Sequence, residues 1–154
     1  MAAKALRERT LDGAEARRRW EMANAAIAAS ERYRDARFPV GVRGTPQEGV
    51  LPLGADPQSG LWEFLYVLSG REPARDEEGR FRRQASGAHA LEESDSEGTG
   101  VVLVLIPGGT FWMSVQKTDP SGHNFAPAAR VNESTVHPVT LCPYLISKYE
   151  LTQG

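Results

Sequence analysis

A single cysteine, Cys142, stands among the 154 residues. That excludes an internal disulfide framework and any zinc cluster built on several thiolates. Histidine is scarce as well. His89, His123 and His137 are widely spaced, and none belongs to a His-x-x-x-His pair that would present two imidazoles on one helix face, so no histidine metal site is expected. Neither charge dominates: 18 basic and 20 acidic residues leave a net charge of −2, which excludes a general electrostatic nucleic-acid binder. Long apolar runs are missing too. The longest, Val101–Ile106, falls far short of the ~20 residues that span a bilayer. At the start, Met1-Ala2-Ala3-Lys4-Ala5-Leu6 passes directly into Arg7-Glu8-Arg9 with no signal-like apolar stretch, so the sequence reads as cytoplasmic, with no membrane partner. There is no phosphate-cradling glycine loop ending in Gly-Lys-Ser/Thr, no dinucleotide fingerprint and no Gly-x-Ser-x-Gly elbow.

What is present divides by composition into residues 1–37, 38–84, 85–99 and 100–154. The first is rich in Ala, Arg and Glu and reads as a helical linker, capped at Thr10 or Asp12 and running to about Tyr33. Ala16, Trp20, Ala23 and Ile27 make one stripe at helical spacing, and Met22, Ala26, Ala29 and Tyr33 a second. Phe38-Pro39 is the expected stop, because a residue before proline avoids the helical region. Arg17-Arg18-Arg19, beside Glu15 and Glu21, reads as a solvated helix face.

The second part is rich in turns, with 15 Gly and 10 Pro in the whole chain. It holds one clear strand near 61–68. Period-two alternation puts Trp62, Phe64, Tyr66 and Leu68 on one face, expected to be buried, and Phe81 is placed on a return strand after the turn Asp76-Glu77-Glu78-Gly79. Residues 85–99 are small and acidic, including Glu92-Glu93-Ser94-Asp95-Ser96-Glu97, a flexible-linker composition.

The last part carries the densest pattern. Val101–Ile106 is an uncharged, β-branched run expected to be buried on both faces. Pro107-Gly108-Gly109 reads as a tight turn and Thr110-Phe111-Trp112-Met113 as the returning strand of a hairpin. A polar loop runs to about Ser134. Strands then follow at Val139-Thr140-Leu141 and over Tyr144–Glu150, and Thr152 is a candidate helix cap. Cys142 lies between Leu141 and Pro143 with no cation or helix start beside it, so it reads as a structural thiol. His137 reads as ordering a loop or strand end, and His89 and His123 as solvated. Asn132-Glu133-Ser134 matches a glycosylation sequon, which means little without secretion.

Three segments, in order, resemble one family. Val102-Leu103-Val104-Leu105-Ile106-Pro107-Gly108-Gly109-Thr110-Phe111-Trp112-Met113 resembles the opening of the formylglycine-generating enzyme, or sulfatase-modifying factor, domain. Asn132 to Leu141 is similar to that family's Glu-Ser-Pro-x-His-x-Val segment, and Tyr144 to Gln153 to its aromatic-x-Ile-x-Lys-Tyr-Glu-Val-Thr stretch. Upstream, Leu51 to Phe64 and the region around Arg19-Trp20-Glu21 resemble the linker between a bacterial Ser/Thr kinase domain and such a domain.

The resemblance implies an α+β chain holding an incomplete, loop-rich variant of the C-type-lectin fold. It also implies a parent reaction in which oxygen and copper convert a substrate cysteine to formylglycine. Family members hold copper with two late cysteines and bind calcium in their later part, so both sites are expected beyond residue 154. No catalytic, cofactor-binding or metal residue carries over, because Cys142 precedes the Glu150 motif. This chain alone is expected to be inactive. A protein or peptide substrate is expected to engage the missing part, and a kinase domain to be fused upstream. The alternatives are a non-catalytic lectin-like binding or regulatory module of a kinase-linked protein, or a gene remnant.

The sequence departs from the family pattern at three positions. Ser114 stands where glycine is usual, Thr135 where proline is usual, and Pro138 follows His137. Because the likeness stops inside a motif at Gly154, an incomplete reading frame or a degenerate copy is expected.

Overall fold

In the computed structural model, residues 3–34, 44–81, 98–133 and 135–151 are described. Helices and antiparallel strands mix in one chain, which groups into two compact units: residues 1–106 with 144–154, and residues 107–143.

In the first unit, a short helix α1 (Ala3–Arg7) and a π-helical turn (Glu8–Asp12) lead into α2 (Ala14–Ala29). The cap differs from expectation. Gly13 occupies the N-cap of α2 without a side-chain bond, because the Thr10 hydroxyl is used elsewhere. It donates to the Leu6 carbonyl at 2.8 Å and accepts the Gly49 N–H at 3.2 Å, tying the helical segment to the first strand. The helix also stops earlier, at Ala29. Ser30 turns extended and its hydroxyl accepts the Arg32 N–H, opening a 3-10 turn (Glu31–Tyr33). The first stripe, Ala16, Trp20, Ala23 and Ile27, is buried as its spacing predicts. Of the second, Met22, Ala26 and Ala29 are exposed, and only Tyr33, off the helix, is buried. The Phe38-Pro39 stop lies outside the described residues.

Four strands form the sheet of this unit: β1 (Val50–Ala55), β2 (Trp62–Tyr66), β3 (Val101–Ile106) and, later in the chain, Tyr144–Ser147. With β4 (Gly109–Met113) and β5 (His137–Leu141) between them, that last strand is β6. The order is β1-β2-β3-β6, all antiparallel. Trp20, Ala23 and Ile27 pack with Tyr33, Val50, Phe64 and Leu105 in one cluster, and Trp20 tilts on Phe64 with ring centroids 5.6 Å apart. Each large side chain buried this way contributes about 1.5–3 kcal/mol. Ala16, Leu51, Leu65 and Val67 make a second cluster.

The expected one-sided burial of β2 does not hold. Phe64 is buried, yet Tyr66 and Leu68 are largely exposed, and the alternate residues Glu63, Leu65 and Val67 are all buried. Central strands covered on both faces lose the alternation that a half-exposed strand shows. Within β3, Val102 and Leu105 are buried and the other residues half-buried. Phe81 meets Arg75 in an isolated antiparallel bridge across the Asp76–Gly79 turn rather than on a full strand. Residues 82–97, including most of the acidic stretch, lie outside the described residues.

The expected β3–β4 hairpin is also absent. β3 pairs with β2 and β6, and β4 pairs with β5. A two-residue hairpin loop needs positive φ at its first central residue, which Pro107 cannot adopt. In the second unit, β4 and β5 form a two-stranded ribbon in which the Thr110 and Thr140 hydroxyls bond across the strands at 2.8 Å. Pro138 lies inside β5, opposite Trp112, rather than before the strand. An edge strand tolerates proline where no ladder donor is required. After β4, Ser114 takes a positive φ of 71° and Thr135 one of 88°. The Asn124 amide holds the carbonyls of Trp112 and Ser114 at 2.7 and 2.8 Å. No described helix is long and apolar enough to cross a membrane.

Candidate functional site

The most unusual chemistry in the first unit surrounds Glu63. β2 carries this carboxylate in the middle of an apolar strand, and its side chain has 0% exposure. A lone carboxylate so placed is costly unless cations and hydrogen bonds meet it. Two cations do. The Lys148 ammonium, just past β6, donates to Glu63 Oε1, and Arg75 Nη2 lies 3.4 Å from Oε2. Lys148 also reaches Asp56, at the end of β1, at 3.4 Å. Two carboxylates and two cations balance, and no buried side-chain polar atom among the described residues lacks a partner.

The surrounding geometry fixes each member. The Lys148 backbone N–H donates to the Val102 carbonyl at 2.8 Å, which extends the β3–β6 ladder and turns the side chain toward Glu63. Arg75 donates to the carbonyls of Gly79 and Leu53, and its guanidinium sits 4.1 Å over the Phe81 ring. Ser59 caps Asp56 through its backbone N–H at 3.0 Å and its hydroxyl at 2.7 Å. The Ser59 hydroxyl is the main reason that the Asp56 carboxyl sits below its ordinary value of 3.8, with Lys148 adding to the effect. Burial by itself would lower the Lys148 ammonium. Glu63 above all, then Tyr149 and Asp56, outweigh burial and raise it above 10.5.

Outside this pair of pairs an open cleft of about 530 Å³ is lined by Asp56, Gln58, Asp76, Arg80, Phe81, Lys148 and Tyr149. Its walls combine two aromatic rings with charges of both signs, and among the described residues no serine, cysteine or histidine lines it. Aromatic faces beside charges of both signs suit non-covalent binding of a polar or charged ligand.

The residues singled out in the sequence lie elsewhere. Cys142 is a free, exposed thiol. His137 Nδ1 bonds the Thr135 carbonyl at 2.8 Å and so orders the start of β5. His123 is exposed and stacks on Trp112, with ring centroids 4.1 Å apart. His89 and Ser134 of the sequon fall outside the described residues. Arg18 and Arg19 both pair with Glu15, while Arg19 also reaches Glu72 and the Pro52 carbonyl, so it joins α2 to β1 rather than merely lining a solvated face. No group of three His, Cys, Asp or Glu among the described residues is arranged to hold a metal ion. With one cysteine in the chain, the donor set does not fit a two-cysteine copper centre.

The Glu63 cluster went unread in the sequence. Its signal was there: one acid flanked by Trp62 and Phe64, and one lysine directly after the apolar Tyr144–Ser147 run. Compared with family models, curated proteins and solved structures, the chain shows no match.

Proposed function

We propose that this chain is the opening part of a sulfatase-modifying-factor-like protein of the formylglycine-generating type, with the lectin-like fold of that group. In this reading the parent protein oxidises a substrate cysteine to formylglycine, and the present residues supply scaffold rather than chemistry. One observation carries it. The three segments that resemble the family pair with one another, Val101–Ile106 with Tyr144–Ser147 and Gly109–Met113 with His137–Leu141. The family's copper and calcium centres correspond to no residue here. The reading places the protein in the cytoplasm with a Ser/Thr kinase domain fused upstream.

The test has two arms. The purified chain is incubated with a cysteine-containing sulfatase peptide in air, with and without copper, and the peptide is analysed by mass spectrometry. No conversion is expected, and robust conversion would overturn the scaffold role. The coding sequence is also read onward from codon 154. Two late cysteines at the family's positions support the oxidase reading, and an immediate stop refutes it.

A second reading, a non-catalytic binding or regulatory module of a kinase-linked protein, is favoured by the cleft beside Phe81 and Tyr149, which pairs aromatic walls with charges of both signs. Continued sequence without the cysteine pair selects it.

A further inference from the structure

The side chains of β6 specify its own register poorly. Tyr144, Leu145 and Ile146 put apolar groups on both faces of the strand, and only Ser147 lacks one. Leu145 packs on the Trp20–Phe64 cluster with Ser147 on the same face, while Tyr144 and Ile146 remain 42% and 49% exposed. A slip of one residue moves every side chain of a strand to the opposite face. It would bring Tyr144 and Ile146 to the cluster and release Leu145 and Ser147. Tyrosine and isoleucine together carry more apolar surface than leucine and serine, so burial alone favours the slipped ladder over the one observed.

Charge opposes that slip. Glu63, Val104 and Ile146 stand in one row across β2, β3 and β6, and Lys148, two residues past Ile146, shares their face. Its ammonium reaches over to Glu63 and Asp56, while its backbone N–H holds the Val102 carbonyl. After a one-residue slip Lys148 turns toward the apolar cluster, and the fully buried Glu63 keeps only Arg75 as an ionic partner among the described residues. Slips of two residues keep the faces but lose elsewhere. One carries Lys148 past Val101, where β3 starts, about 7 Å along the sheet from its present place. The other runs Tyr144 and Leu145 beyond Ile106, where β3 ends.

We propose that the Glu63–Lys148 pair is a register lock, which holds β6 in a ladder that apolar burial does not select. A buried polar or ionic residue that fixes register at a cost in stability is the best-attested use of such groups. The consequence reaches the cleft. Lys148 and Tyr149 form part of its wall, so the register that the pair sets also fixes that wall.

The experiment reads register by disulfide capture in the full chain, in a Cys142→Ser background. Val104→Cys with Ile146→Cys reports the present register, in which the two residues are directly opposed. Leu103→Cys with Ile146→Cys reports the slipped one, because those side chains now lie on opposite faces. Directly opposed Cα atoms are about 4.5–5.5 Å apart, within disulfide reach. Thiol titration after mild oxidation is expected to show the first pair captured at least about tenfold faster than the second. Moving the lysine one place, Ser147→Lys with Lys148→Ser, is expected to reverse that preference, since the lysine then reaches Glu63 only from the slipped ladder. Neutralising the pair, Glu63→Gln with Lys148→Met, is expected to raise capture of the second pair at least about tenfold, with the circular dichroism spectrum unchanged. Capture of the first pair alone in the relocated or neutralised chain, or equal capture of both pairs with the lock intact, would overturn the proposal. If the relocated chain does not fold, the neutralised one decides.

Discussion

Replacing Lys148 with methionine keeps the stem beside Phe81, over whose ring the ammonium sits at 5.4 Å, and removes the charge. Glu63, with no exposed side-chain surface, is then left with Arg75 at 3.4 Å as its sole ionic partner among the described residues. Breaking a buried ion pair costs about 3–5 kcal/mol. The surviving Arg75 contact retains part of that, so the expected loss is about 2–3 kcal/mol in urea unfolding followed by the fluorescence of Trp20 and Trp62, with an unchanged denaturant slope. Adding Glu63→Gln removes the stranded charge. The double variant is therefore expected to be at least about 1 kcal/mol more stable than the sum of the single losses implies. The pH dependence gives a second handle. The folded Lys148 sits above its ordinary value of 10.5, so its contribution is fully present below pH 10.5 and is lost as pH rises through the folded value. Lys148→Met therefore removes part of the alkaline loss seen in the parent chain. A loss under about 0.5 kcal/mol, the size of a surface pair, or strict additivity in the double variant would refute the reasoning.

Tyr33 supports the same sheet. Its hydroxyl donates to the Leu105 carbonyl at 3.0 Å and accepts the Trp62 N–H at 2.8 Å, bridging β3 and β2. Tyr33→Phe leaves both backbone groups unpaired and is expected to cost about 1–3 kcal/mol by urea titration, with the β-sheet signal retained. In the second unit, Ser114 at φ 71° pays for a conformation that glycine adopts freely. Ser114→Gly is expected to raise stability by about 0.5 kcal/mol, while Ser114→Val, β-branched at positive φ, loses about 1 kcal/mol or more, both read from Trp112 fluorescence on thermal unfolding.

How much of the fold was legible depended on whether the signal was local. The Ala16–Trp20–Ala23–Ile27 stripe was readable because helical spacing alone brings those residues to one side, and all four are buried. The run Val101–Ile106 was readable because nothing but a strand suits six uncharged, mostly β-branched residues of that length. Partner choice was not local. β3 lies next to β4 in sequence yet pairs with β6, with 37 residues between the two strands, and only the incompatibility of Pro107 with a tight hairpin turn hinted at that. The helix start differs from the sequence pattern for a related reason. Thr10 has the chemistry of a cap, but its hydroxyl serves Leu6 and Gly49, and the second bond depends on a strand far along the chain.

The cluster at Glu63 follows the same logic one level higher. Seen alone, an acid between Trp62 and Phe64 breaks the pattern of a buried strand, and a lysine after Ser147 looks like an ordinary strand end. Neither residue makes sense until β3 carries β2 on one side and β6 on the other, which brings Glu63 and Lys148 together across a separation of 85 residues. That placement also joins segments that composition sets apart. Composition separates residues 85–99 from 100–154, but β2 and β3 are neighbouring strands, and Arg71 exchanges backbone hydrogen bonds with Gly98 and Gly100 across the same interval. A carboxylate buried on β2 and neutralised from beyond β6 binds the middle of the chain to the segment that carries the family resemblance. The sheet is thus shared by upstream and downstream segments: β2, from the turn-rich part of the chain, pairs with β3, and β3 with β6.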